Sequence, residues 1–171
     1  MITKKEISDI YCSYSNELFS YLLKMTGQEE LSEDLLQETF ERFIDYALKH
    51  EIDQKTVRPF LYRSAHNLSV NHFVRQSKRK VLDIDDASNY IPSNDSAHDN
   101  LAARELEARI EIYINTLSPS DRSIFLMHKE FQKTYDEIAL DTGFSSRTVR
   151  RRIRNILDDL VVTLKKEGFL E

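Results

Sequence analysis

Apolar residues recur at helical spacing through most of the chain, and nowhere do they alternate as a half-buried strand requires. Ile10, Tyr14, Leu18, Tyr21 and Leu22 set out a first helix over 7–23, with Gly27 marking its end. Leu36, Phe40, Phe43, Ile44 and Ala47 give the inward side of a second helix. Its expected start is Ser32 as N-cap, with Leu31 and Leu36 closing a hydrophobic staple. A third helix is expected over 56–76, where Pro59 is tolerable because it falls in the first turn. The pattern lapses at 81–100, a stretch rich in Asp, Ser and Asn that contains Pro92, and this predicts a flexible acidic linker. Leu101, Leu106, Ile110, Ile114 and Leu117 resume the helical period. Ser118-Pro119 then caps the next helix, and Thr134-Tyr135-Asp136-Glu137 reads as a capping box. Val149, Ile153, Ile156, Leu160 and Leu164 form the buried stripe of a last helix, from Ser145 or Ser146 to about Lys166.

The fold class expected is all-α, as two small helical domains (1–80 and 101–171) joined by the linker 81–100. With three glycines and three prolines in 171 residues, turn-dense sandwiches and barrels are excluded. No apolar run exceeds Ile124-Phe125-Leu126-Met127, too short to span a bilayer. The first lysines are followed by no apolar stretch, so no secretory leader is expected. Cys12 stands alone, which permits no internal disulfide and points to the cytoplasm.

Net charge is −5, which taken over the whole chain argues against nucleic acid. Its distribution argues otherwise. Residues 1–57 carry net −6, 58–80 carry +6, 81–117 carry −6, and 145–157 hold five arginines and no acid. Exposed charges beyond about 10 Å are screened, so each basic stretch acts through its own field.

The sharpest motif is 135–149, YDEIALDTGFSSRTV. A helix-turn-helix needs a small residue where its helices cross, a glycine of positive φ in the turn, and an apolar residue facing back; Ala139, Gly143 and Val149 stand at these places. The second helix presents Ser146, Arg147, Arg150, Arg151, Arg152 and Arg154 as candidates for duplex DNA, early arginines for guanine edges and later ones for phosphates. In 58–80, Tyr62, His66 and Phe73 lie at i, i+4 and i+11, interleaved with Arg63 and Arg75. Aromatic faces that stack bases beside cations that follow the backbone suit opened single-stranded DNA, and a partly core role for Tyr62 and Phe73 is the competing reading. On the second helix Asp34, Gln37, Glu38, Glu41 and Asp45 form an acidic ridge, which suits a basic protein surface or a plain solvated face. No catalytic constellation stands out. The five histidines lack metal-ligand spacing with Cys12, no Gly-rich phosphate loop exists, and neither metal nor cofactor is expected.

Together, 32–46, 58–80 and 117–160 resemble the bacterial RNA polymerase sigma factors, specifically the two-domain extracytoplasmic-function group of the sigma-70 family. The resemblance implies a region 2-like domain over 1–80 and a region 4-like helix-turn-helix (winged-helix-like) domain over 101–171. It implies that Asp34, Gln37, Glu38 and Glu41 bind core RNA polymerase. It also implies that Tyr62, Arg63, His66, Asn67, Phe73 and Arg75 hold the opened minus-ten strand, and that Ser146, Arg147, Arg150, Arg151, Arg152 and Arg154 read the minus-thirty-five element. The loop 50–56 falls where the family captures a flipped base, and the linker would thread toward the polymerase cleft. The implied partners are core RNA polymerase, promoter DNA and an anti-sigma factor, with no membrane insertion. The chain departs from the family at Phe60, His66 and Asn71, where Trp, Arg and an acidic residue are common. Two alternatives explain parts of the sequence: a stand-alone helix-turn-helix regulator, and a sigma-like module that sequesters an anti-sigma factor.

Overall fold

The structure is a computed structural model describing residues 2–80 and 101–170; the linker expected at 81–100 lies outside the described residues. Seven helices account for the ordered elements among them. The first is α1 (Lys4–Thr26), followed by α2 (Glu29–Ala47), α3 (Gln54–Lys80) and α4 (Leu101–Thr116). The last three are α5 (Pro119–Lys129), α6 (Tyr135–Thr142) and α7 (Ser146–Lys166).

Helix ends follow local chemistry. Thr3 and Glu6 satisfy each other's backbone donors in a capping box that opens α1, a signal the apolar pattern alone misses. Gly27 closes α1 at φ 67°, as expected. Ser32 is not the N-cap of α2: the cap is Gln28, four residues earlier, with Glu29 and Glu30 in the first turn. Ser32 is instead buried, donating to the Gln28 carbonyl and sharing a hydrogen bond with Thr26. Only Gly27 and Gln28 separate the two helices, and the Ser32 hydroxyl serves the backbone of the first turn instead of capping it. Pro59 lies in the second turn of α3 rather than the first. Asp53 opens that helix, accepting from the Lys55 amide. Ser118, Thr134 and Ser145 cap α5, α6 and α7 as the sequence predicts. The stripe Val149, Ile153, Ile156, Leu160 and Leu164 is wholly buried.

Helices α1, α2 and α3 pack around Leu18, Leu22, Phe40, Phe43, Leu61 and Ala65. That cluster does not stop at the N-terminal half. It continues through Ile124, Leu126 and Met127 of α5, Ile138 of α6, and Val149 and Ile153 of α7. A second cluster joins Tyr113 of α4 and Phe125 of α5 to Ile156, Leu160 and Leu164. Helix α5 therefore has apolar partners on two sides, and all four of Ile124, Phe125, Leu126 and Met127 are buried. Arg122 reinforces the junction by donating to Met25 O at the end of α1 and to Asn115 O near the end of α4. A cation between two helix C-termini complements both dipoles.

The turn of the helix-turn-helix depends on Gly143, which closes α6 at φ 82°. A Cβ there would find Arg63 at 3.7 Å, an ordinary contact, so the cost of adding one is backbone strain. Gly143→Ala is expected to lower unfolding free energy by about 1–2 kcal/mol with an unchanged denaturant slope, measurable by urea titration.

Candidate nucleic-acid interface

Helix α7 begins at Ser145, whose hydroxyl accepts from the Thr148 amide. From that cap the helix projects Arg147, Arg150, Arg151 and Arg154 into solvent. Arg150 packs over the Tyr135 ring at 5.5 Å, which limits its sweep while leaving it exposed. Ser146 is committed locally, its hydroxyl donating to Asp136 of α6. Arg152 has turned away from this face. Its guanidinium donates to Ser120 and Asp121, both at 3.1 Å, and lies over the Phe144 ring at 4.5 Å. The cause is its angular position: Arg152 sits on the flank of α7 that meets α5, so it ties the recognition helix to the capped start of α5.

Helix α3 shows two unlike sides. Arg63, Asn67, Asn71, Arg75 and Lys78 are exposed, and their spacing puts them along one stripe. The aromatic side expected to be free is covered. Tyr62 is 0% and His66 4% exposed, because the C-terminal half packs onto them. Lys133, 2% exposed, places its ammonium over the Tyr62 ring and pairs with Asp141. Backbone geometry puts it there: Gln132 adopts φ 51°, and that left-handed step in the α5–α6 turn directs the next side chain inward. Burial draws the Lys133 ammonium down to about 8 against the pull of Asp141, and burial raises the Asp141 carboxyl in turn. The Tyr62 hydroxyl donates to Glu17, which also accepts from Arg58 at 2.8 Å. Burial works against the charged Glu17, yet these two donors keep its carboxyl below the usual range. Ser123 of α5 joins the Tyr21 hydroxyl and His66 Nδ1, both at 2.7 Å. Arg63 donates to Leu140 O at 2.9 Å, and Phe73 lies beneath Arg122 at 5.6 Å. Of the six residues expected to hold a single strand, Tyr62, Arg63, His66 and Phe73 contact the C-terminal half, while Asn67 and Arg75 are exposed.

On α2 the ridge faces outward. Asp34, Gln37, Glu41 and Asp45 are exposed and Glu38 is half-buried. Gln37 donates to Glu41, and Arg42 pairs with Glu38 at 2.8 Å. Lys133, Asp141 and Ser123 went unnoticed in the sequence. A lone Lys or Ser on a helical pattern carries no sign of burial, whereas a capping box or a glycine turn is visible by residue type.

Two family models match this chain. One described as sigma-70 region 2 covers residues 10–79, and one described as sigma-70, region 4 covers 108–160. The ECF RNA polymerase sigma factor SigM of Bacillus subtilis is 41% identical over 80 residues, a match spanning 47% of each chain. The RNA polymerase sigma factor YlaC of the same organism is 24% identical over 165 residues, covering 95% of this chain and 94% of that relative. Among solved structures, the sigma factor RpoE in complex with the anti-sigma factor NepR from Bartonella quintana superposes with a TM-score of 0.71. It covers 94% of this chain and 98% of that one at 14% identity, a likeness of fold.

His66 gives the covered surface a pH dependence. Burial, with the Arg152 cation adding to it, drives the imidazole down to about 4. The groups facing it are Ser123 of α5, Phe144 in the α6–α7 turn, and Arg152, itself paired with Asp121. Exposed, the ring takes its proton near the ordinary 6.5, so between these values the packed state binds fewer protons. Its stability falls as pH drops through that window, by about 1.4 kcal/mol per unit. Denaturant titrations should show wild type losing about 1 kcal/mol more than His66→Gln between roughly pH 7 and roughly pH 5.5.

Proposed function

Because the chain belongs to the sigma-70 family of RNA polymerase sigma factors, in its extracytoplasmic-function group, we propose that it directs core RNA polymerase to specific promoters and helps open them. It acts as a transcription initiation factor in the cytoplasm rather than as an enzyme. Residues 1–80 would serve polymerase and the minus-ten element, and 101–171 the minus-thirty-five element.

The observation that carries this reading is the coexistence of three surfaces in one chain. A capped helix-turn-helix presents Arg147, Arg150, Arg151 and Arg154, α3 presents the stripe Arg63, Asn67, Asn71 and Arg75, and α2 presents the acidic ridge. A stand-alone regulator has use for the first alone. Duplex recognition suits α7, whose N-terminal arginines lie where a docked helix meets base edges. The stripe on α3 suits a backbone path, with Tyr62, His66 and Phe73 available for stacking once the C-terminal half is displaced. Asp34, Gln37, Glu38 and Glu41 suit a basic face of the polymerase. Regulation by an anti-sigma factor fits a chain whose relatives in solved form include one bound to such a partner. In vitro transcription with core polymerase on a genomic promoter pool is the direct test, and absence of any promoter-specific product refutes the reading.

Two substitutions series divide the roles. Asp34→Lys with Glu38→Lys should weaken core-polymerase binding by roughly 10²-fold, since close interfacial charge pairs are each worth a few kcal/mol. Helical content should be retained, because both side chains point outward; unchanged affinity in a titration counts against the ridge. Arg151→Ala should flatten preference at one or two minus-thirty-five positions, a bidentate guanine contact discriminating by about 1–3 kcal/mol. Arg154→Ala should weaken all promoters alike and reduce the salt slope by about one unit. Arg152→Ala should chiefly lower the melting temperature, as its bonds to Ser120 and Asp121 are internal. Binding of holoenzyme to point-mutated promoters at three salt concentrations separates the three outcomes.

A further inference from the structure

We propose that Tyr135 is a positioning residue for promoter recognition: its ring holds the Arg150 guanidinium in one direction, and that fixed direction makes Arg150 selective for a single base. The inference rests on the function proposed above and deepens it at one contact. Of Arg147, Arg150, Arg151 and Arg154, all exposed on α7, Arg150 is the one that lies over a ring among the described residues, 5.5 Å from the Tyr135 centroid. The platform is itself braced. Tyr135 is the half-buried first residue of α6, and the reciprocal bonds of Thr134 and Glu137 fix the backbone that carries it. The His128 ring lies 5.2 Å from it at 32°, and His128 donates from Nδ1 to the Lys133 carbonyl at 3.2 Å. One residue on, Asp136 accepts from the Ser146 hydroxyl. Adjacent residues of α6 thus grip α7 at two points one turn apart, Ser146 and Arg150.

Stacking and base reading use different parts of a guanidinium. The ring takes its face, while the N–H donors lie around its edge. Bidentate contact with guanine O6 and N7 needs that edge alone. Arg152 shows the opposite outcome: it lies over Phe144 at 4.5 Å, but Ser120 and Asp121 accept its donors. Nothing among the described residues accepts from Arg150, so its edge is free for a base. A loose arginine tolerates a wrong base, because it swings to a phosphate and recovers most of the attraction. A held one cannot swing, and the wrong base leaves its donor pair unmatched.

The test is selection by polymerase holoenzyme from a duplex library randomised across the minus-thirty-five element, read by sequencing bound and unbound fractions. Arg150→Ala should erase the preference at one position, which identifies the base that Arg150 meets. Tyr135→Leu keeps apolar cover on α6 and removes the ring. It should lower preference at that position alone by roughly two- to fivefold, the range of an exposed cation–π contact. Tyr135→Phe should retain the preference. Arg150→Lys, an exposed exchange that keeps the charge and loses the planar fork, should lose it. In an Arg150→Ala background, Tyr135→Leu should change nothing further there, because the ring acts through that side chain. A merely structural Tyr135 would lower the melting temperature and weaken every sequence together. Unchanged preference in Tyr135→Leu or in Arg150→Ala overturns the inference. So does equal flattening at every position, or a loss at that position in the double variant beyond that of Arg150→Ala. Wild-type holoenzyme that enriches no sequence overturns the proposed function, and the positioning role with it.

Discussion

Helix α5 has to satisfy two cores at once, and that constraint organises the rest of the molecule. Its residues Ile124, Leu126 and Met127 enter the cluster built by α1, α2 and α3, while Phe125 enters the cluster of α4 and α7. An eleven-residue helix cannot have apolar partners on two sides unless both halves close on it. Closing them brings the α5–α6 turn down onto α3. There Gln132 at φ 51° turns Lys133 inward, and the aromatic surface of α3 is covered.

What holds the halves together also limits how tightly they hold. A buried ammonium paired with a buried carboxylate gives little net stability, because desolvation cancels most of the attraction. The Lys133–Asp141 pair lies within the C-terminal half, whereas the contact of Lys133 with the Tyr62 ring crosses to α3. The Ser123 bonds to Tyr21 and His66 are worth about 1 kcal/mol each, as water replaces them on opening. Lys24–Glu130 spans the halves at the surface, where exposed pairs contribute at most a fraction of a kcal/mol. Apolar contact through Ile124 and Met127 supplies the larger attraction.

Much of this was legible in residue types and spacing. The stripe of α7, the capping box at Thr134, the glycine turn at Gly143 and the proline start of α5 are local features, and local chemistry decides them. The start of α2 differs because Ser32 is a good cap by type, while in the structure its hydroxyl turns back to the Gln28 carbonyl from inside the helix. The covered side of α3 was harder. Tyr62, His66 and Phe73 have the composition of a stacking surface, and only the packing of Arg122, Ser123 and Lys133, far downstream, reveals them as an interface. The run Ile124-Phe125-Leu126-Met127 was the available clue. Four consecutive apolar residues on a helix mean burial on every side, and a helix so placed needs a second partner beyond its own half. Arg152 shows the same limit on α7: five arginines look alike in sequence, and one of them is structural because its flank meets Asp121.

Charge completes the division of labour. The chain is net −5, yet Arg147, Arg150, Arg151 and Arg154 share one exposed face of α7, a local cation cluster on an acidic body. At physiological salt the Debye length is about 8 Å, which lets the cluster act on a phosphate nearby while the ridge on α2 repels DNA only close at hand. So few phosphate contacts give weak affinity without a second anchor, because each adds only about one unit to the salt slope and a modest attraction. In the proposed function the acidic ridge is that anchor: a basic protein surface would hold the chain, and the tethered helix-turn-helix would search DNA at a high effective concentration. On the proposed function, selectivity for promoters would come from linkage, with α7 reading sequence while α2 holds the partner.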